Sequence, residues 1–160
     1  MTMTFRRFIT AAIVLLCASA VLGGTSGFPT PKERDKCPVC GMFVAKYPDW
    51  VAVVVLKDST QRFFDGPKDM FKFLLDLKQY APGKGESDID RFFVTDYYAV
   101  KQIDGRAAFY VLGGDVYGPM RKELIPFERE AEAREFMKDH GGKTVLRFKE
   151  ITSRVLHELD

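Results

Sequence analysis

The chain has 160 residues, of which 46% are hydrophobic, a length and an apolar content that favour one domain with a buried core. Its formal net charge is +2, and Arg6 and Arg7 account for that excess, because removal of residues 1–20 leaves equal numbers of basic and acidic residues. A domain of balanced charge lacks the basic surface that nucleic-acid binding requires, so nucleic acid is excluded as a partner.

Residues 1–20 predict an export signal. A positively charged start precedes an apolar stretch over residues 8–17, and residues 18–20 offer a small-residue cleavage site. This stretch is shorter than the roughly 20 apolar residues of a membrane-spanning helix. We therefore expect a periplasmic or otherwise extracytoplasmic protein. Cys17 offers a lipid anchor, although Leu16 stands where a lipoprotein signal needs a small residue. Contact with a membrane is expected only through such an anchor or an uncleaved leader.

Residues 21–36 are rich in glycine, proline and charge and are typical of a flexible linker. The residues after them predict two similar successions of strands and a helix. The first comprises strands over residues 50–56 and 61–64, a helix from Pro67 to Leu77 with Asp65 as its cap, and a strand over 92–100. The second comprises strands over 107–112 and 124–127, a helix over 128–140 and a strand over 145–148, with a turn at 113–115.

This order predicts an α+β domain over residues 37–155, built as two tandem β-β-α-β units with helices packed on a mainly antiparallel sheet. Residues 156–160 are expected to form a tail.

The segment Cys37-Pro38-Val39-Cys40-Gly41-Met42 places two thiols and a thioether within six residues. Such soft ligands favour Cu(I), and thiolates also suit zinc. The two cysteines lie too close in sequence to staple distant segments by a disulfide. Met120 is a further candidate, because it lies on a glycine-proline turn between strands, where it is poorly placed to fill a core. Methionines usually pack in cores, so the residues alone leave both interpretations of Met120 open.

Two alternatives to a Cu(I)-binding protein remain open from the residues. A structural zinc site needs four ligands, but no second cysteine pair follows, and His140 and His157 lie outside the usual ligand spacing. A thiol-based oxidoreductase or lyase would use Cys37 and Cys40 as nucleophiles. Oxidoreductases place such a pair at a helix start, which the sequence after Met42 does not predict. A lyase would need an acid near its thiols, and the sequence offers no clear candidate.

Several stretches of the chain resemble the nitrous oxide reductase accessory proteins known as the NosL family. They are CPVCGMFVAKYPDWVAVV, VTDYYAV with IDGRAAFYVLGG, YGPMRKELIPF and HGGKTVLRF, which together span residues 35–151. Members of that family are exported, commonly lipid-anchored copper chaperones of denitrification. The resemblance implies a fold of two β-β-α-β units related to organomercurial lyase, with Cu(I) as the bound ion and no catalysed reaction.

The resemblance also implies residues and a partner. Cys40 and Met42 match the CGM motif of the family, and Met120 matches its loop methionine. With Cys37, they form the expected metal ligands. The expected acceptor is a copper protein, either nitrous oxide reductase with its copper-sulfide centre and assembly factors, or a related protein. The chain departs from the family at Leu16, which affects the expected lipid anchor.

Overall fold

A computed structural model describes residues 28–160, so the predicted export signal and Cys17 lie outside the described residues. The strands are β1 (Ala52–Leu56), β2 (Gln61–Phe64), β3 (Ile89–Thr95), β4 (Gln102–Asp104), β5 (Phe109–Gly118), β6 (Arg121–Phe127) and β7 (Gly142–Arg147). The helices are α1 (Pro67–Leu75), α2 (Leu77–Tyr80), α3 (Glu130–Asp139) and α4 (Ser153–His157). Short 3-10 turns connect several of them. No helix within residues 28–160 is long and apolar enough to cross a membrane.

The strands form two antiparallel sheets with the same internal order. The first sheet runs β2-β1-β3-β4 and the second runs β6-β5-β7. In each unit the first strand is central, its hairpin partner lies on one side, and the strand after the helix returns on the other. The predicted α+β fold of two β-β-α-β units is therefore confirmed, and β4 extends the first unit.

The second sheet is covered on both faces, because alternate residues of β5 point in opposite directions. Tyr110 and Leu112 belong to the main core, where the Tyr110 ring meets the Phe71 ring of α1 edge to face at 5.1 Å. Val111 belongs to a second cluster with Phe127 and the residues of α3. Helix α1 also contacts β1 and β2 of the first sheet. It therefore lies between the two sheets, and α3 covers the outer face of the second.

The prediction of a turn at residues 113–115 is wrong, because these residues lie inside β5. Gly113 and Gly114 have φ angles of 82° and 107°, which glycine adopts without steric cost, and they form an irregularity inside β5. The strand then continues to Gly118, which pairs with Arg121. The reversal of the chain therefore occurs at Pro119 and Met120, which form the tip of the β5–β6 hairpin.

The strand predicted over residues 92–100 ends earlier, at Thr95, because Asp96 forms a turn. Asp96 is buried, and its carboxylate accepts hydrogen bonds from the backbone N–H groups of Tyr98, Ala99 and Glu128. An aspartate that bonds backbone groups two and three residues ahead stabilises a turn rather than a strand.

Both ends of the described chain pack against the domain. The Phe28 ring meets Phe93 edge to face at 5.2 Å. At the other end, Leu159 is buried, and the Asp160 carboxylate forms an ion pair with Lys72. These contacts extend the packed region beyond the predicted domain of residues 37–155 on both sides.

The N-terminus of α1 is capped by a side chain of the second unit. Asp65 was expected to be the cap, and this prediction is wrong: the structure places Gly66 at the N-cap without a side-chain bond. Instead, Oε1 of buried Glu123 in β6 accepts hydrogen bonds from the backbone N–H groups of Lys68 and Leu124. A Cβ atom at position 66 would collide with the Glu123 carboxylate, so this close approach requires glycine.

Glu123 should make stability depend on pH. Burial raises its pKa from 4.5 to about 8, although the backbone N–H groups of Leu124 and Lys68 oppose the shift. Between these values the folded protein holds a proton that the unfolded chain has lost, so the free energy of unfolding falls as pH rises. Glu123→Gln keeps the acceptor oxygen and removes the titration. We expect urea unfolding from about pH 5 to about pH 8 to show a flatter profile for the variant. Parallel profiles of variant and parent would contradict this assignment.

Candidate metal centre

The cysteine pair lies on a tight loop that closes on itself. The backbone N–H of Cys37 donates to the carbonyl of Met42 at 2.9 Å, and the N–H of Gly41 donates to the carbonyl of Cys37 at 2.9 Å. Gly41 has a φ of 80°, a conformation that favours glycine. The residues that flank the loop form an isolated antiparallel bridge. This backbone geometry holds Cys37 and Cys40 close together without regular secondary structure.

Two buried carboxylates face the thiols. The thiol of Cys37 donates to Oδ2 of Asp69 at 3.3 Å, and the thiol of Cys40 donates to Oδ1 of Asp65 at 3.2 Å. One donor atom from each of these four side chains lies within 4.8 Å of the other three. Cys37, Asp65 and Asp69 are buried, while Cys40 is half-buried. We call these four residues the Cys/Asp cluster; it is open to the surface on the Cys40 side.

Sequence reasoning missed both aspartates of the cluster. Asp65 follows β2 directly and Asp69 lies in the first turn of α1, so the strand-to-helix junction places their carboxylates on one side. Two phenylalanines at the end of a strand, followed by two aspartates four residues apart, are a signal that the sequence does contain. Their proximity to cysteines 25 and 32 residues away is set by tertiary packing. They are the acids near the thiols for which the sequence offered no candidate.

The thiols of the cluster are held in their protonated form. Burial raises the pKa of Cys37 far above its ordinary value, and the carboxylate of Asp69 adds to this effect. Burial likewise raises the pKa of Cys40 to about 12, with further contributions from Asp69 and Asp65. A CxxC oxidoreductase depends on a depressed thiol pKa, so the site has the opposite electrostatics. A metal ion that bound both sulfur atoms would therefore have to displace both protons, and each thiol already donates to a carboxylate oxygen.

The two predicted methionine ligands lie at different distances along the chain from the cysteines. Met42 is half-buried on the cysteine loop itself. Met120 is 36% exposed at the tip of the β5–β6 hairpin, and its carbonyl accepts a hydrogen bond from Nζ of Lys68 at 3.0 Å. Lys68 precedes Asp69 in α1, so this bond ties the hairpin tip to the helix turn that also contacts Cys37. Ligation by the sulfur atoms of Met42 and Met120 remains a prediction.

The two histidines lie elsewhere. His140 ends α3, where its ring stacks on Phe136 at 4.2 Å and its Nδ1 lies 2.8 Å from Oδ1 of Asp115. His157 is exposed at the end of α4. Neither residue belongs to the Cys/Asp cluster.

The fold and the cluster together define a class: a small α+β domain in which two free cysteines and two buried carboxylates could hold a metal ion. The chain belongs to the NosL family, whose model matches residues 29–156.

Two relatives are similar to this chain over most of its length. The copper-binding lipoprotein NosL of Stutzerimonas stutzeri is 31% identical over 132 residues, which cover 79% of this chain and 66% of that protein. The chain thus spans slightly less than two thirds of the length of this relative. The crystal structure of the copper chaperone NosL from Shewanella denitrificans superimposes with a TM-score of 0.67 at 25% identity. It covers 80% of this chain and 97% of the other. Neither relative is named as an enzyme.

The raised thiol pKa values predict slow alkylation in the native state. At about pH 8 we expect Cys37 and Cys40 to react with iodoacetamide more slowly than they do in denaturant, because the thiolate is the nucleophile. Cys37 should be the slower of the two, since it is the more deeply buried. Mass spectrometry of digested samples over time gives both rates. A native cysteine that reacts faster than the same residue in denaturant would instead indicate an activated thiol and an oxidoreductase site.

Proposed function

We propose that this protein is an exported copper chaperone that binds one Cu(I) ion and passes it to an acceptor copper protein without catalysing a reaction. Its ligands are the thiolates of Cys37 and Cys40 with the thioethers of Met42 and Met120. The observation that carries the proposal is the pair of free, juxtaposed cysteines in a chain of the NosL family. The names of the two relatives described above, a copper-binding lipoprotein and a copper chaperone, also support the proposal.

The exposure of the site supports transfer by ligand exchange. Cys37 is 1% exposed, whereas Cys40 and Met42 are half-buried and Met120 is 36% exposed. An acceptor ligand can therefore approach the outer sulfur atoms while Cys37 still holds the ion. Soft sulfur ligands retain Cu(I) at low coordination number, which leaves room for an incoming ligand. The ion then passes between proteins without being released to solvent.

The chemistry of the cluster also supports a reversible exchange of protons for copper. Metal binding to thiols releases protons, and each thiol of this site has a carboxylate at hydrogen-bond distance, Asp69 for Cys37 and Asp65 for Cys40. Because both thiol pKa values are raised, protons return to the sulfur atoms when copper leaves. The protonated thiols then have little affinity for the ion, which favours its release to the acceptor.

Membership of the family supports a proposal for the acceptor and for the location of the protein. We propose that copper is delivered for assembly of the copper-sulfide centre of nitrous oxide reductase, directly or through assembly factors, or to a related copper protein in the same compartment. We propose residues 1–20 as the export signal, with contact to a membrane only through a lipid anchor at Cys17 or an uncleaved leader. The name of the lipoprotein relative supports an extracytoplasmic, anchored protein.

Cys40→Ser tests the copper site directly. The hydroxyl is nearly isosteric and can donate to Asp65, so we expect the free energy of unfolding to change by less than about 1 kcal/mol. The serine hydroxyl is a poor ligand for Cu(I), so the affinity of the protein for Cu(I) should fall by at least about tenfold, equivalent to ~1.4 kcal/mol. Anaerobic competition against a Cu(I) chelator measures this, and the parent should bind one ion per chain.

Met137→Leu is the control for this test, because it replaces a sulfur-containing side chain of α3 that packs in the second cluster and should leave the affinity for Cu(I) unchanged. If Cys40→Ser collapses the fold while the remaining folded protein binds Cu(I) normally, Cys40 is structural and the proposed site is wrong. Bound zinc that Cu(I) cannot displace would contradict the proposed function as a whole.

Met120→Leu tests whether the hairpin supplies a ligand. Leucine keeps the size and hydrophobicity of this partly exposed side chain, so we expect a stability change within about 0.5 kcal/mol. Loss of the thioether should lower the Cu(I) affinity and reduce the number of sulfur neighbours seen by X-ray absorption of the copper-loaded protein. Met137→Leu, a half-buried methionine of α3 that packs in the second cluster, is the control. Identical copper spectra for both variants would return Met120 to a structural role.

A test of delivery uses copper-free nitrous oxide reductase as the acceptor. The copper-loaded protein should transfer its ion faster than the same concentration of Cu(I) held by a small chelator of matched affinity, because protein contacts bring the ligands together. Cys40→Ser should abolish this advantage. Equal rates for protein and chelator would show that this enzyme is not the acceptor, while leaving copper binding itself intact.

A further inference from the structure

A cavity separate from the cysteines lies along the C-terminal half of α1. It has a volume of about 360 Å³, and its walls come from α1, from β3 and the residues before it, from Arg106, and from the 3-10 turn Phe148–Glu150 with Ile151. We call it the α1–β3 cavity. We propose that it binds a small amphipathic carboxylate of the medium-chain fatty-acid class, with the apolar body inside and the carboxylate on Arg106. No residue of the Cys/Asp cluster and no proposed copper ligand lines this cavity, so the inference stands apart from the proposed function.

Three aromatic rings form a continuous wall of the α1–β3 cavity. The centre of the Phe148 ring lies 5.8 Å from that of Phe71 and 5.0 Å from that of Phe92. Ile89 and Ile151 add buried aliphatic side chains to the lining. Small-molecule sites are usually concave and lined mainly by such aromatic and aliphatic groups. The wall therefore suits the hydrocarbon part of a ligand.

An exposed leucine extends the apolar surface of the cavity. Leu75, the last residue of α1, also lines the cavity and is 47% exposed. A hydrocarbon chain in the cavity would cover part of this side chain, and removal of apolar surface from water favours binding. The cavity therefore favours a ligand with an apolar body over an inorganic anion alone.

A cation lies over the aromatic wall. The Arg106 guanidinium is 4.9 Å from the centre of the Phe92 ring and 5.6 Å from the centre of the Phe148 ring. A guanidinium over an aromatic face keeps its N–H donors at its edge, where they match the two oxygens of a carboxylate. Neither Arg106 nor Lys149, the second cation of the lining, forms an ion pair within residues 28–160. Both charges are therefore available to an anionic ligand.

The charge of the lining matches a ligand with a single negative charge. Arg106 and Lys149 are positive, whereas Glu86, which also lines the cavity, is negative. One carboxylate neutralises the positive excess of this lining. A doubly charged phosphate group would instead leave negative charge in excess beside Glu86, and like charges repel. The charge balance therefore favours a monocarboxylate.

The volume of the cavity sets the length of the ligand. An apolar protein cavity of about 150 Å³ binds benzene, a molecule of six carbon atoms. At the same ratio, the volume of about 360 Å³ holds about fourteen non-hydrogen atoms. Decanoate, a saturated acid of ten carbons, is within this limit with both its oxygen atoms. It is therefore the probe for the experiment.

The experiment titrates the full chain with sodium decanoate below its micelle concentration, by calorimetry and by NMR of the isoleucine methyl groups. We expect one saturable site per chain, with shifted methyl signals of Ile89 and Ile151, the two isoleucines of the lining. Hexanoate, which is shorter by four methylene groups, should bind at least about tenfold more weakly, because each buried methylene contributes to the affinity.

Substitution of the two cations tests the anchor of the carboxylate. Arg106→Gln should lower the affinity for decanoate about fivefold, the loss expected for one partly exposed charged contact, and should leave the affinity for uncharged decanol unchanged. Lys149→Gln should lower the affinity for decanoate by a smaller factor. Both side chains are exposed, so we expect both variants to fold, and circular dichroism checks this. Arg134→Gln and Lys138→Gln replace exposed cations of α3 outside the lining; they are the matched controls and should not change the affinity. Since the ligand binds the folded state, decanoate should also raise the Tm of the parent more than that of Arg106→Gln.

The absence of saturable decanoate binding would overturn the inference, and so would equal affinities of the parent and Arg106→Gln for decanoate. Binding that leaves the methyl signals of Ile89 and Ile151 in place would assign the fatty acid to another surface, with the same consequence. Tighter binding of decyl phosphate than of decanoate would show that the cavity takes a phosphoryl head group, and the assignment to a carboxylate would be wrong. Each of these results leaves the copper function untouched, because the cavity shares no residue with the proposed copper ligands.

Discussion

The hydrogen bonds from Cys37 to Asp69 and from Cys40 to Asp65 are the interactions on which the site depends. The cysteine loop has no regular secondary structure and would otherwise be held mainly by its own backbone bonds. The two carboxylates fix the loop to the start of α1 and place both thiols against the core. The same burial raises the thiol pKa values. The packing of the cysteine loop against the two aspartates and the core therefore determines both the position of the thiols and their protonation.

The first turn of α1 also joins the two structural units. Asp69 contacts the cysteine loop, while the neighbouring Lys68 holds the carbonyl of Met120 at the tip of the β5–β6 hairpin. Glu123 of β6 caps this turn by accepting the backbone N–H of Lys68. Its carboxylate fits only because residue 66 is glycine. A loop of the first unit and a hairpin of the second, far apart in sequence, are thus positioned by a single helical turn.

The sequence was sufficient to predict features that local patterns determine. The turn after the first strand predicted that residues 61–64 return as its hairpin partner, with the bounds that β2 has in the structure, and the order of elements predicted the two β-β-α-β units. The prediction failed where tertiary contacts override local signals. Asp65 has the sequence context of a helix cap, but its carboxylate accepts the Cys40 thiol and Glu123 takes its place.

The glycines at 113 and 114 show a similar limit. Their positive φ angles suit either a turn or an irregular strand, and the pairing of Gly113 with Gly142 in β7 decides for the strand. Local sequence likewise indicated only part of the candidate site, because the rest of it is assembled by tertiary contacts. The cysteines stand out in sequence by their spacing, whereas Asp65 and Asp69 become recognisable only when packing brings them to the thiols.

The unequal burial of the two cysteines gives the proposed transfer a direction. Cys37 is in contact with the core and bonded to buried Asp69, whereas Cys40 lies at the half-buried edge beside Met42. In this proposal an incoming ligand from an acceptor would reach the outer sulfur atoms first, so Cys37 would be the last protein ligand to release the ion. As each thiolate is released, its raised pKa would favour reprotonation, and its hydrogen bond to an aspartate could re-form. The empty site would thereby return to the geometry that the structure shows, and the two protons that must leave again would oppose the return of copper.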